Sequence, residues 1–396
     1  MIGIITLYYK NYNIGGLLQA YALQQVLKNE NIECEQICVW HYKKDENISI
    51  LKKVISKFKR IIKHPYRELN ITIDNRDVKK RRKKIENELK GREQLMEQFM
   101  LQIPHSKEIY DFRNIKESLR VYDGFIVGSD QVWNDDYISK DFMEINTLSF
   151  VPNTYLKMSY AASFGKSDNF KSCFGSCLEN IKCFNAVSVR EKTAQTILEH
   201  EGINATVVLD PTLLLERKYW DRFVEKDKLK IKVPYIFTYF LGKDKRNREF
   251  ACEIAAETGY SILNFAHAIN FFRNEDENYG DYKIMEYSPE DFVNYIASAG
   301  MILTDSFHAT VFSIIFHKDF YVFSRGNDSG IVSMNSRLED LLKQYDLEYR
   351  LIKENQADRC DMKKFRTEID YEKIDAKIAE QRKSSKRFLF SQLKLT

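Results

Sequence analysis

Short apolar runs recur along the whole chain, each ending in small or polar residues and each followed by a stretch of helical periodicity. That alternation limits the fold more than any other feature, because parallel strands need crossover helices between them. The first series comprises Ile2–Tyr8, Glu35–Trp40, Gly124–Val127, Lys157–Ala162, Ala186–Val189 and Thr206–Leu209. Asp210-Pro211 and the charged stretch Glu216–Lys232 then read as a connection. A second series follows: strands Tyr235–Leu241, Ser261–Phe265, Met301–Thr304 and Phe320–Ser324, with helices over Lys245–Thr258, Pro289–Ala299, Ala309–Phe316 and Ser336–Tyr345. With 396 residues the chain exceeds a single ordinary core. The pattern predicts an α/β protein of two Rossmann-like, doubly wound domains facing a cleft. Residues 1–225 form the first, 226–370 the second, and 371–396 a helix that packs back on the first.

Composition excludes several alternatives. Apolar residues make up 44% and charged residues 30%, which is a globular balance and not a disordered one. The longest apolar stretches, Tyr235–Gly242 and Ala309–Phe316, fall far short of the ~20 residues of a membrane span. The start, Met1-Ile-Gly-Ile-Ile-Thr, lacks a basic n-region and a cleavage site, so it reads as a first strand of a cytoplasmic protein. Seven cysteines, an odd number, point to reduced thiols. Cys34 with Cys38 and Cys173 with Cys177 have a helical spacing and Cys183 lies near, yet no CxxC accompanies them, so no metal is expected.

Charge is uneven. Between Lys52 and Arg92 there are sixteen basic residues against five acidic ones, about +11 in a chain of net charge +4. This basic insertion, over about residues 50–100, ends in a helical pattern from Asp77 to Met100. Clustered Lys and Arg suit anionic lipid head groups, and peripheral contact with an anionic membrane through residues 52–92, at its inner face, is the expectation carried forward. A solvated helix face is the competing explanation. Nucleic acid is not expected, because no binding module is recognisable and aromatics are not interleaved with the basic residues.

Polar residues at the carboxyl ends of parallel strands line one crevice. The loop Lys10–Gly16, with Asn11, Gly15 and Gly16, can present N–H groups to an anion, or it can be a plain turn. The loop Gly128–Asn134 brings Ser129 and Asp130, a candidate base or hydroxyl acceptor, with a helix cap as the alternative. Ser163 closes the next strand. Arg190 heads a helix after Ala186–Val189, placed to hold a carboxylate or phosphate, or else paired with Glu191 or Asp210. Arg325 stands likewise after Phe320–Ser324 in the second domain. His308, flanked by Asp305, Ser306 and Thr310, precedes an apolar helix whose dipole lowers its pKa. It is the leading catalytic candidate.

Six segments in order resemble the polysaccharide pyruvyl transferase family: Asn11–Gln24 (NYNIGGLLQAYALQ), Phe125–Asn134 (FIVGSDQVWN), Ser159–Gly165 (SYAASFG), Ser188–Lys192 (SVREK), Asp210–Leu214 (DPTLL) and Thr304–Phe316 (TDSFHATVFSIIF). The resemblance implies a GT-B-like fold, a cytoplasmic enzyme of cell-surface polysaccharide biosynthesis, and phosphoenolpyruvate as donor substrate with no cofactor. The implied acceptor is a sugar diol on a glycan or lipid-linked oligosaccharide, joined to pyruvate as a ketal. It further implies that His308 is the acid that protonates the enol and that Arg190 holds the donor. Many members carry Arg-Leu-His where this chain has Ser306-Phe307-His308, and Arg325, Arg337 or Lys243 would have to supply the missing cation. A GT-B-type transfer from a nucleotide sugar, or a non-catalytic glycan-assembly binding partner, are the alternatives.

Overall fold

The computed structural model describes residues 1–40, 83, 85–136, 138–166, 174–267, 274–325, 335–353 and 367–393. Residues 41–82 and 84 lie outside them, and with them most of the expected membrane-facing segment 52–92. Among the described residues no helix is long and apolar enough to cross a membrane.

The first half builds a parallel sheet from β1 (Ile2–Ile5), β2 (Cys34–Val39), β3 (His105–Tyr110), β4 (Gly124–Val127) and β5 (Leu156–Ser159), in the order β3-β2-β1-β4-β5. Helix α1 (Ile14–Asn29) crosses from β1 to β2, and α2 (Glu86–Gln102) precedes β3. Helices α3 (Lys140–Asn146) and α4 (Phe174–Ile181) flank β5. A short parallel pair, β6 (Ser188–Val189) and β7 (Thr206–Val207), extends this sheet through bridges from Met158 to Ala186 and from Ala162 to Val189. Between that pair lies α5 (Lys192–His200), and after it come the short α6 (Pro211–Leu214) and α7 (Arg217–Trp220).

The second half repeats the plan with β8 (Tyr235–Tyr239), α8 (Lys245–Thr258), β9 (Ser261–Phe265), β10 (Tyr282–Ile284), α9 (Pro289–Ser298), β11 (Met301–Thr304), α10 (Phe307–Ile315), β12 (Asp319–Phe323), α11 (Ser336–Gln344) and β13 (Leu351–Ile352). Its strand order is β10-β9-β8-β11-β12-β13, with every pair parallel. Both sheets therefore wind outward in two directions from a central pair, β1/β4 in one and β8/β11 in the other. The protein is two Rossmann-like sheets, and the loops leaving each central pair sit at a topological switch point, where such sheets bind ligands.

Burial explains which elements the sequence betrays. β1, β4, β8 and β11 are buried at every position, as parallel strands covered on both faces must be. Helix α1 is buried almost all round because it lies between the halves. Tyr21 on it packs on Trp220, which in turn meets Phe312 of α10 edge-on at 4.9 Å. The last helix, α12 (Tyr371–Leu393), ties both halves: Arg382 donates to the Leu213 carbonyl at 2.7 Å, and the Ser385 hydroxyl accepts from the Leu209 N–H at 3.0 Å. On its other side Gln381 accepts from the Tyr345 hydroxyl. Cys34 and Cys38 share strand β2, so their spacing is not a helical one. No disulfide joins the described cysteines.

Candidate active site

Helix α1 starts at Ile14, where Asn13 caps it. The Asn13 carboxamide accepts from the N–H groups of Gly15 and Gly16, at 3.0 and 3.5 Å, so these amides are already engaged. Gly15 has a different role. A Cβ placed there would lie 2.1 Å from Nδ1 of His308, so only a residue without a side chain lets the helix approach that imidazole. Gly15→Ala is expected to push the ring aside and lower turnover by at least about tenfold, with the melting temperature little changed. Steady-state rates beside a thermal melt check this; unchanged turnover would show that the contact has no bearing on activity.

The loop after β4 is held open in a strained shape. Gly128 has φ +115°, and a Cβ there would meet the Tyr160 carbonyl at 2.2 Å. Asp130 follows at φ +68°, a left-handed conformation that Asp tolerates better than most residues. Gln19, buried in α1, pins the loop by accepting from the Ser129 N–H while its amide donates to Thr6 and to the Gly16 carbonyl.

Asp210 joins these parts. Its side chain caps α6 by accepting from the Thr212 N–H at 2.9 Å, while its other oxygen accepts from the Ser129 hydroxyl at 3.2 Å and from Arg190 at 3.1 Å. That same oxygen lies 4.0 Å from Nε2 of His308, which has no hydrogen-bond partner. Burial opposes the Asp210 charge, but His308, Arg190 and the Thr212 donors outweigh it and hold the carboxyl below its usual range.

Arg190 is buried with its guanidinium stacked 4.3 Å over the Phe307 ring. Burial works against its charge, yet Asp210, Glu191 and Asp130 together favour it. Its Nε and its second terminal nitrogen, at 3.6 Å from Glu191 and 3.8 Å from Asp130, make no hydrogen bond.

His308 lies in the first turn of α10, one position inside the helix, and is only 9% exposed. Burial lowers its pKa from the ordinary value; Asp210 and Asp130 pull it up, and Arg190 and Arg337 push it down. Ser306 is the N-cap residue of α10, but its side chain makes no capping bond. Arg337, buried in the first turn of α11, is pushed down to about 10 by burial and then by Arg190. Arg190 and Arg337, from opposite halves, line one cavity of about 430 Å³ together with Asp210 and Phe307.

The remaining candidates occupy structural bonds. Arg325 donates to the Asp305 carbonyl at 2.8 Å, and Asp305 in turn accepts from the N–H groups of Leu241 and Gly242, both at 2.7 Å. Arg325 thus fixes the turn that aims His308. The Ser163 hydroxyl donates to Glu191 at 2.7 Å, and the Asn11 amide turns back to the Leu7 carbonyl. Lys243 is exposed. Sequence reasoning did not give Gln19, Asp210 or Phe307 a place in the site. The available signals were a glutamine in an otherwise apolar buried helix and an Asp-Pro-Thr cap. Among the described residues no group of three or more His, Cys, Asp or Glu is placed to hold a metal ion.

Comparison with known proteins bears on the family and the fold. The family model described as polysaccharide pyruvyl transferase matches residues 13–327. No curated protein sequence matches the chain. Among solved structures, the UDP-GlcNAc 2-epimerase of Methanocaldococcus jannaschii has a TM-score of 0.50 at 12% identity, covering 96% of this chain and 91% of that one. Its complex with UDP-GlcNAc and UDP gives the same score and identity over 96% and 92%. The ADP-heptose LPS heptosyltransferase II of E. coli has a TM-score of 0.39 at 10% identity, over 96% and 99%. At these identities the likeness to the epimerase is one of fold, the GT-B arrangement of two facing Rossmann-like domains.

Proposed function

The chain belongs to the polysaccharide pyruvyl transferase family, and on that premise we propose that it moves a pyruvyl group from phosphoenolpyruvate to a sugar diol as a ketal. The observation that carries the reading is the meeting of two buried guanidiniums from opposite halves, Arg190 and Arg337, in one cavity beside Asp210, whose carboxylate reaches towards the unpartnered Nε2 of His308. Two fixed cations suit a small ligand bearing both a phosphate and a carboxylate. Arg337 then supplies the cation that Ser306 does not.

His308 gives its proton to the methylene carbon of the enol, and the central carbon becomes cationic. One sugar hydroxyl attacks that carbon and loses its proton. Phosphate leaves with the C–O bonding pair, held by the arginines. The second hydroxyl then closes the ring and releases the other proton, so one proton returns to the histidine and one goes to solvent or phosphate. Asp210 stabilises the imidazolium before transfer, and Asp130 receives a hydroxyl proton.

Thermal melting tests the donor. Phosphoenolpyruvate binding only the folded state stabilises it by about 2.7 kcal/mol at a hundred times its Kd, so a clear upward shift is expected, with a smaller one from UDP-GlcNAc. A larger shift from the nucleotide sugar would replace this reading with glycosyl transfer.

A further inference from the structure

The cavity that begins at Arg190 and Arg337 continues outward between α5, α11 and α12, beyond what a three-carbon phosphoester fills. Its floor is buried: Arg190, Arg337, Asp210 and Phe307. Its outer wall carries the charged Lys192, Asp340 and Lys343 and, beside them, uncharged hydrogen-bonding groups: the half-buried amides of Gln344 and Gln381 and the Ser384 hydroxyl, exposed at the rim. Such groups suit hydroxyls better than a second anion.

The two glutamines are locked against each other. Gln344 donates its amide to Oε1 of Gln381 at 2.9 Å, and the Tyr345 hydroxyl donates to the same oxygen at 2.9 Å. With its oxygen doubly engaged, Gln381 offers its NH2, while Gln344, already donating, offers its oxygen. A donor and an acceptor thus stand side by side in fixed orientation, the complement of neighbouring hydroxyls on a sugar ring. Both glutamines and Ser384 lie outside residues 13–327, so this compartment is built from a part of the chain that the family model does not cover.

The geometry points to this outer compartment as the acceptor-sugar subsite, with Gln344 and Gln381 as the pair that reads the acceptor's hydroxyls. The assignment rests on the transferase reading above and adds where the sugar sits and which side chains select it. The Phe307 ring, under Arg190, forms the boundary between the donor end and the sugar end.

Gln381→Glu separates this role from mere helix packing. A carboxylate oxygen still accepts from both Gln344 and Tyr345, so the α11–α12 contact is kept, while the donating NH2 is lost. Saturation-transfer NMR is run with methyl glucoside, galactoside, mannoside and N-acetylglucosaminide on the full chain and on the variant, and melting with phosphoenolpyruvate is run on both. At least one glycoside is expected to bind the unaltered chain and to lose about tenfold or more of its affinity in the variant, with the phosphoenolpyruvate shift the same in both. No glycoside signal on the unaltered chain, or equal signals on both, overturns the subsite. A glycoside signal that responds to the substitution without any phosphoenolpyruvate shift leaves the subsite standing and removes the donor assignment instead.

Discussion

Replacing His308 with glutamine is expected to abolish ketal formation and leave the fold intact. A positioned general acid contributes about 10²- to 10⁴-fold, and His308, whose Nε2 lies 4.0 Å from the cavity-lining Asp210, is the group proposed to give the proton. Burial holds the pKa of the imidazole below the ordinary value in the resting protein, against the pull of Asp210 and Asp130. An arriving phosphoenolpyruvate brings several negative charges beside the ring and raises that pKa, so donor binding should draw a proton onto His308. Calorimetry in buffers of different ionisation enthalpy should show proton uptake in the unaltered chain beyond that of the variant. The stability sign follows from the same shift. A histidine with a lowered folded pKa costs stability as pH falls below about 6.5, where the unfolded chain binds a proton that the folded chain resists. His308→Gln should therefore flatten the decline in melting temperature on the acid side of that point while changing little at pH 8. Mass spectrometry of candidate acceptors incubated with phosphoenolpyruvate reads the activity. Product formed at the normal rate by the variant would remove His308 from the chemistry.

The sequence revealed the central strands because they are covered on both faces and so read as unbroken apolar runs, Ile2–Ile5 and Met301–Thr304 among them. It did not reveal β3 and β10, the edge strands, whose outward positions are polar and exposed, as in His105-Ser-Lys-Glu-Ile-Tyr110. The two-residue β13 pairs with β12 over too few positions to leave a pattern. Part of the candidate site was legible for the same reason as the core: residues just past the strands of a parallel sheet emerge on one edge, Asp130 and Arg190 in the first half and His308 in the second. Partnerships between distant residues were not legible. Asp210 reads locally as a helix cap, and it is one, but the oxygen it turns toward Ser129, Arg190 and His308 is set by three other segments. Gln344 and Gln381 meet only because α12 runs back over α11.

Arg190 and Arg337 line the same cavity yet are expected to answer substitution by methionine in opposite ways. Arg190 is surrounded by Asp210, Glu191 and Asp130, which more than offset its burial. Removing it strands buried carboxylates, a change that costs about 3 to 5 kcal/mol, so Arg190→Met should melt far earlier, losing fold and donor binding together. Arg337 stands on the other side of that balance, pushed down to about 10 by burial and by Arg190. A cation held at such a disadvantage weakens the empty protein. Arg337→Met should therefore melt at the same temperature or higher while its response to phosphoenolpyruvate is lost, because the anion that would repay the buried charge no longer finds it. Paired melts with and without phosphoenolpyruvate decide the matter. If Arg337→Met is as unstable as Arg190→Met and still shifts with the donor, then Arg337 supports the fold, and the site must find its second cation elsewhere.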